Sequence, residues 1–279
     1  MKSTKSVKNS HPFWKFHLYF PAIIWLPIFS AILIVGCASN GTEDDPTADW
    51  TAGEFYRNAE KELKSGDYEV AIQHFETLES RFPFGPFAEQ AQLETGFAYY
   101  KFQEYDSSIA AADRFIKLHP THANVDYAYY LRGLASFHKK DTPLEAIAPQ
   151  DPALRDPSSA RESFNYFSEL VKRFPNSKYA SDAIKRMQYL RNTLAEHEVH
   201  VASYYFKRGA YVAVVNRAKY VVENFPQTPA VAQALNLLTQ GYSKLRMEKL
   251  ADDAKKVLLK NYPNYQQNNE SEAAITIED

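Results

Sequence analysis

An aromatic residue or a histidine followed by proline closes five amphipathic segments of this chain: Phe82-Pro83, His119-Pro120, Phe174-Pro175, Phe225-Pro226 and Tyr262-Pro263. Successive prolines stand 37, 55, 51 and 37 residues apart. The two long intervals equal the short one plus 18 and plus 14, so a single unit recurs with two insertions. A fixed period of this size marks an array of stacked helical pairs. Such arrays offer surfaces to other polypeptides, which points to recognition and away from chemistry.

The spacing repeats within each unit. Ala59, Gly96 and Gly133 are 37 residues apart, and Ala59, Gly96, Ala202 and Thr239 each stand 24 residues before a closing proline. A small side chain there lets the first helix of a pair approach the second. Tyr99, Tyr205 and Tyr242 follow their small residue by three positions, and Leu78, Phe115, Leu170, Val221 and Leu258 precede the prolines by five. Proline then stops the second helix, because it lacks the N–H and disfavours helical geometry in the residue before it. Small residue, aromatic, helix and proline together make the tetratricopeptide pattern. The expected fold is therefore all-α, a superhelical array of five tetratricopeptide hairpins, with repeats 1–3 over 51–176 and repeats 4–5 over 177–263.

The first insertion falls in repeat 3, where His138 to Ser159 carries four prolines and reads as a loop. Loops of that length tend to be functional or unstructured. The second lies between Pro175 and Ala202. Fourteen residues are close to four helical turns, so helical phase survives, and neither Gly nor Pro occurs from Asn176 to Arg208. One lengthened first helix of repeat 4 is expected, Ser177 to Lys207, about 46 Å long at 1.5 Å per residue.

Residues 1–36 belong to another class. Lys2, Lys5, Lys8 and Lys15 lead into an apolar run from Phe16 to Gly36, with no acidic residue before Glu43. A basic segment followed by an apolar one is a secretory leader. It ends Leu33-Ile34-Val35-Gly36-Cys37, and Cys37 is the only cysteine; the frame is similar to the bacterial lipobox, in which the thiol is lipidated and the leader cut before it. A membrane-spanning anchor is the alternative, since 21 residues suffice to cross a bilayer, but Pro21 and Pro27 interrupt the run. One acyl chain holds only marginally whereas several hold stably. Ala38-Ser39 lacks the Asp that retains lipoproteins at the inner membrane, so the expected location is the periplasmic face of the outer membrane. Residues 37–50 read as the lipidated cysteine and a flexible tether. The Gln-, Asn- and Glu-rich stretch 264–279 reads as disordered.

Without the leader the chain holds 28 basic against 34 acidic side chains, a net charge of −6. That balance offers no basic field for nucleic acid. His197-Glu198-Val199-His200 has its histidines three apart, where the zinc-protease motif needs four; a solvated helix face is the expected reading. His119 and His122 read as turn contacts. No phosphate loop or nucleophile constellation is present, so the chain is expected to be no enzyme, with no metal and no cofactor beyond the lipid on Cys37.

First helices line the inner face of such an array. Positions −3, +1 and +4 from the small residue share one side of the helix. They hold Tyr56, Glu60 and Leu63; Leu93, Phe97 and Tyr100; then Tyr130, Leu134 and Phe137. An apolar, aromatic groove of this kind suits a peptide, since aromatics carry much hot-spot energy; burial against the chain's own loops is the competing reading.

Several stretches carry a more specific likeness: Arg81-Phe-Pro-Phe-Gly-Pro-Phe87, Ala98-Tyr-Tyr-Lys101, Asp113 to His122, Phe174-Pro-Asn-Ser-Lys-Tyr179 and Arg208 to Arg217. Across Phe55 to Tyr262 the chain resembles the BamD family, tetratricopeptide lipoproteins of the outer-membrane β-barrel assembly machine. The resemblance implies a lipid anchor at Cys37 and docking on periplasmic POTRA domains of BamA through Arg217, Tyr211 and Asn216. It also implies company of other Bam lipoproteins, and an N-terminal groove that engages unfolded outer-membrane β-barrel substrates. Lys101, Arg114 or Arg132 would then meet a substrate's terminal carboxylate. A lipid-anchored adaptor for cell-wall synthesis or division is the rival expectation.

Overall fold

The computed structural model describes residues 45–139 and 151–265. The leader, Cys37, most of the tether, residues 140–150 of the repeat 3 insertion and residues 266–279 lie outside the described residues. Residues 45–49 form a turn closed by the Ala48 N–H donating to Asp45 O at 2.9 Å. From Trp50 onward the chain is one unit.

Among the described residues that unit holds ten α-helices and no strand: α1 Ala52–Ser65, α2 Tyr68–Arg81, α3 Pro86–Lys101, α4 Tyr105–Leu118, α5 Val125–His138, α6 Ser158–Arg173, α7 Ala180–Lys207, α8 Tyr211–Asn224, α9 Ala230–Lys244 and α10 Glu248–Asn261. Each packs on the helix that follows it, and first helices of neighbouring pairs also touch, α1 on α3, α3 on α5 and α7 on α9. The fold is the all-α repeat array that the proline period predicts.

The period has a local cause at both ends of a pair. Inside the hairpins, Gly66, Gln103, Gly209 and Arg246 all take positive φ, between 58° and 91°. At each, the next N–H reaches back five residues: Asp67 to Glu62, Glu104 to Tyr99, Ala210 to Tyr205 and Met247 to Tyr242, at 2.9–3.0 Å. This left-handed cap satisfies carbonyls that the helix end would leave bare. At the other end, the residue before each closing proline donates to the apolar residue four before it at 2.8–2.9 Å. Those five acceptors, Leu78, Phe115, Leu170, Val221 and Leu258, are buried. Proline thus ends the helix at a fixed distance from a core side chain.

Small residues do what their spacing predicts in the first pairs. A methyl on Gly133 would sit 2.5 Å from the Phe167 ring, and one on Gly96 would sit 3.2 Å from Leu131. Close approach also lets a second-helix serine donate to the glycine's carbonyl, Ser108 to Gly96 and Ser163 to Gly133, at 2.8 and 2.9 Å.

The long helix α7 begins at Ala180, three residues later than expected, and spans about 42 Å at 1.5 Å per residue. Ser177 and Tyr179 are held outside it. The Ser177 hydroxyl donates to Asp126 at 2.6 Å, and the Tyr179 ring stacks on Tyr130 with centroids 4.7 Å apart. The same short turn follows the proline before α5 and before α9. Packing divides within α7: Ala183 and Leu190 join the core of α5 and α6, while Ala195, Val199 and Ala202 join that of α8 and α9.

Candidate functional site

Two faces are built from these helices. The first runs along α1, α3, α5 and the start of α7. Tyr56, Phe97, Tyr100, Tyr130 and Phe137 are each half-buried there. Phe97 lies 6.5 Å from both Tyr100 and Tyr127. Tyr127 leads to Tyr179 at 5.4 Å and so to Tyr130, and Phe137 meets Tyr189 at 5.8 Å. Tyr56 sits further along, against Phe75 and Phe87. Apart from Tyr56 the rings form a linked row, joined to Phe137 through His138, and each is partly packed and partly open to solvent. Leu93 is a correction: it is 3% exposed and belongs to the core, because α3 turns that position toward α5.

Polar groups in this row are neutral or held. The Tyr130 hydroxyl donates to Asp182 at 2.6 Å, and burial together with that bond pushes its pKa to about 12. Burial pushes Tyr127 still higher, with Glu94 adding to it. Glu94 is itself desolvated, and burial raises its carboxyl despite a 3.0 Å hydrogen bond from Gln90. The face therefore offers ring surface and hydroxyls, with Arg186 5.1 Å over the Phe137 ring and Lys178 5.0 Å over the Tyr179 ring.

The basic residues expected to serve it are differently employed. Arg132 is 9% exposed, bound to Asp113 at 2.7 Å and Glu169 at 2.6 Å, with its guanidinium over the rings of Tyr129 and Tyr166. It is a buried cross-link of α4, α5 and α6, which corrects its assignment to a ligand carboxylate. Arg114 pairs with Glu79. Lys101 lies 5.8 Å above the Tyr68 ring and keeps an exposed side chain.

The second face lies on α8. Arg217 and Asn216 are exposed, as are Val212 and Tyr220. Positions 212, 216 and 220 share one helix side. Tyr211 points elsewhere, half-buried with its ring 5.7 Å from Phe206, because 211 falls on the side that carries buried Val214 and Val215. Arg217 donates to Glu198 of α7 at 2.8 Å, and Arg161 of α6 donates to the other oxygen at 2.9 Å.

The segment around Glu198 is not the solvated helix face that its sequence suggested. Glu198 and Val199 are 1% and 2% exposed. His197 Nδ1 lies 2.8 Å from the carbonyl of Ala153, in a 3₁₀ turn of Pro152–Leu154 that packs on α7. The end of the loop insertion thus rests on the helix insertion. No cluster of ligating side chains able to hold a metal occurs among the described residues. His122 accepts from the Asn124 N–H at 3.1 Å, a turn contact as expected, whereas His119 reaches Gln92 of α3 at 2.8 Å and so ties its turn to a neighbouring helix. Glu198 was legible in one respect: it stands four before Ala202, on the packed side of the helix.

No helix among the described residues is long and apolar enough to cross a membrane. The chain matches the family model YfiO, described as outer membrane lipoprotein, over residues 48–258. It is 45% identical over 243 residues to an outer membrane protein assembly factor BamD of Neisseria meningitidis, covering 86% of this chain and 91% of that one. Proteins of the same name from Xylella fastidiosa and Vibrio cholerae are 37% and 34% identical, covering 84% and 81% of this chain and 80% and 92% of theirs. With ten helices of a repeat array among the described residues and kinship along nearly the whole stretch they span, this chain belongs to the YfiO family of outer membrane lipoproteins.

Proposed function

We propose that the chain is a non-enzymatic scaffold and substrate-recognition subunit in the assembly of outer-membrane β-barrel proteins. The observation that carries this reading is the kinship, across both halves of the array, with relatives named as outer membrane protein assembly factors. Lipid on Cys37 anchors it to the periplasmic side of the outer membrane. The aromatic row of Tyr56, Phe97, Tyr100, Tyr130 and Phe137 holds unfolded β-barrel substrates, whose exposed strands are rich in apolar and aromatic side chains. Its geometry supports that role: half-buried rings are rigid, lose little conformational freedom on binding and present large contact area. Arg217 and Asn216 dock on POTRA domains of BamA, alongside other Bam lipoproteins.

Photo-crosslinking in living cells tests both faces at once. A crosslinking residue at Tyr100 or Tyr130 should trap unfolded outer-membrane proteins, and one at Asn216 should trap BamA. Adducts with cell-wall synthesis or division enzymes at those positions, in place of these, would instead establish the adaptor role.

A further inference from the structure

The residues that follow the five closing prolines are Phe84, Thr121, Asn176, Gln227 and Asn264. Four of them are polar, as the residues of turns usually are. The first is not. Phe84 is 91% exposed, and Pro83-Phe84-Gly85-Pro86-Phe87 are all exposed without one polar side chain among them. A surface run of this kind is a defect unless it serves a function. The turn is also stiff. Pro83 and Pro86 each fix φ, Gly85 takes φ 105°, and its carbonyl accepts from the Ala88 and Glu89 N–H groups at 3.0 and 3.2 Å. Phe84 is thus held out in one place, and covering it costs little conformational entropy.

The run adjoins the first turn of α1, where the tether enters. Phe82 lies 6.4 Å from Phe55, whose ring meets Trp50 at 5.1 Å. A methyl on Gly53 would meet the Phe87 ring at 3.4 Å and Arg57 Nη1 at the same distance. Arg57 therefore flanks the run on one side, and Arg81, over the Phe55 ring at 5.3 Å, precedes it on the other. Twelve residues separate Cys37 from Trp50, and a link of that length spans at most about 45 Å.

We propose that Phe84 and Phe87 rest in the membrane interface, so that the first turn between helical pairs is a second, non-covalent attachment beside the lipid. This rests on the reading that Cys37 is lipidated. Two rings bury too little apolar area to hold a soluble protein on a bilayer, where even one acyl chain is marginal. The tether alters that balance. It keeps the turn close to the surface, and an effective concentration of about a millimolar makes a weak contact hold. Arg57 and Arg81 add guanidinium forks that suit lipid phosphates. The contact also sets which end of the first pairs faces the bilayer: Phe102, at the other end of α3, is about 24 Å away at 1.5 Å per residue.

The test uses the lipidated mature chain in vesicles of phosphatidylethanolamine and phosphatidylglycerol with brominated acyl chains, which quench tryptophan on contact. Trp50 is the only tryptophan after the leader, so the parent chain sets the background. Phe84→Trp should be quenched at least about twofold more than the parent. Phe102→Trp, at a position also exposed, should stay at background. Quenching of Phe84→Trp no greater than that of the parent, or no greater than that of Phe102→Trp, would overturn the contact. A photo-crosslinker at position 84 that captures a periplasmic protein in cells, with quenching at background, would assign the run to a protein partner instead. Mass spectrometry that finds no lipid on Cys37 would remove the anchor and the membrane contact with it, an outcome distinct from a lipidated chain whose position 84 stays unquenched.

Discussion

First helices of the N-terminal and C-terminal pairs occupy equivalent places in the array and carry different chemistry there. Taken from the small residue, the same three offsets read Tyr56, Glu60 and Leu63, then Leu93, Phe97 and Tyr100, then Tyr130, Leu134 and Phe137 in the first three pairs. In the last two they read Val199, Ser203 and Phe206, then Asn236, Gln240 and Ser243. The cores differ to match. Phe55, Phe75, Phe115 and Phe167 are fully buried on one side, whereas Val214, Val221 and Leu258 fill the other. Helix α9 is buried over most of its surface by α7, α8 and α10. One period thus supports two materials: a ring-lined face left half open, and an aliphatic block closed on itself that presents charge on α8.

The largest expected effect tests how the aromatic half is locked. Arg132→Ala removes the cation that joins Asp113 to Glu169 and lies against two tyrosine rings. Its partners are partly exposed and regain water, so the cost should be about 2–4 kcal/mol, somewhat under the usual figure for a fully buried pair. Urea unfolding measures it. A loss under about 1 kcal/mol would place Arg132 among ordinary surface ion pairs and remove the cross-link from the account of this half.

A pair of glycine substitutions sharpens the contrast. Gly133→Ala drives a methyl into Phe167, which is fully buried and has no room to turn, while Gly241→Ala meets Val215 Cγ2 at 3.0 Å. Overpacking a rigid ring should cost about 1–3 kcal/mol, and the aliphatic site under about 1 kcal/mol. Equal losses in thermal unfolding would mean that ring and aliphatic packing yield alike, and the comparison of cores would break.

These differences explain which features the sequence makes legible. Helix ends, the buried residue before each proline and the small-residue contacts follow from local sterics, so their spacing alone predicts them. The start of α7 was displaced because Ser177 and Tyr179 bond to α5, some fifty residues earlier. Arg132, Glu198 and Tyr127 were misread or passed over for a similar reason. Their roles depend on partners in other helices, as with Arg132 and Glu169, 37 residues apart, or Glu198 and Arg217, 19 apart. Amphipathic periodicity says which side of a helix is buried, and it does not say which charges will meet there.

The smallest expected effect separates the halves by sign. Glu94 and Glu198 are both carboxylates withdrawn from water, but Glu94 has the neutral amide of Gln90 where Glu198 has two guanidiniums. Burial raises the Glu94 carboxyl above its ordinary 4.5 in the folded state. The native chain then binds the proton more tightly than the unfolded one, so stability falls as pH rises from the unfolded value through the folded one. At neutral pH the charged form is a net cost. Glu94→Gln should therefore raise the melting temperature slightly at pH 7, and the gain should vanish below about pH 4, where both states of the parent are protonated. Glu198→Gln should lower it, since it strips the charge that two arginines need. Loss of stability in both variants would mean that Glu94 depends on its charge for support as Glu198 does, and the aromatic face would then hold a structural anion where the desolvation argument puts a liability.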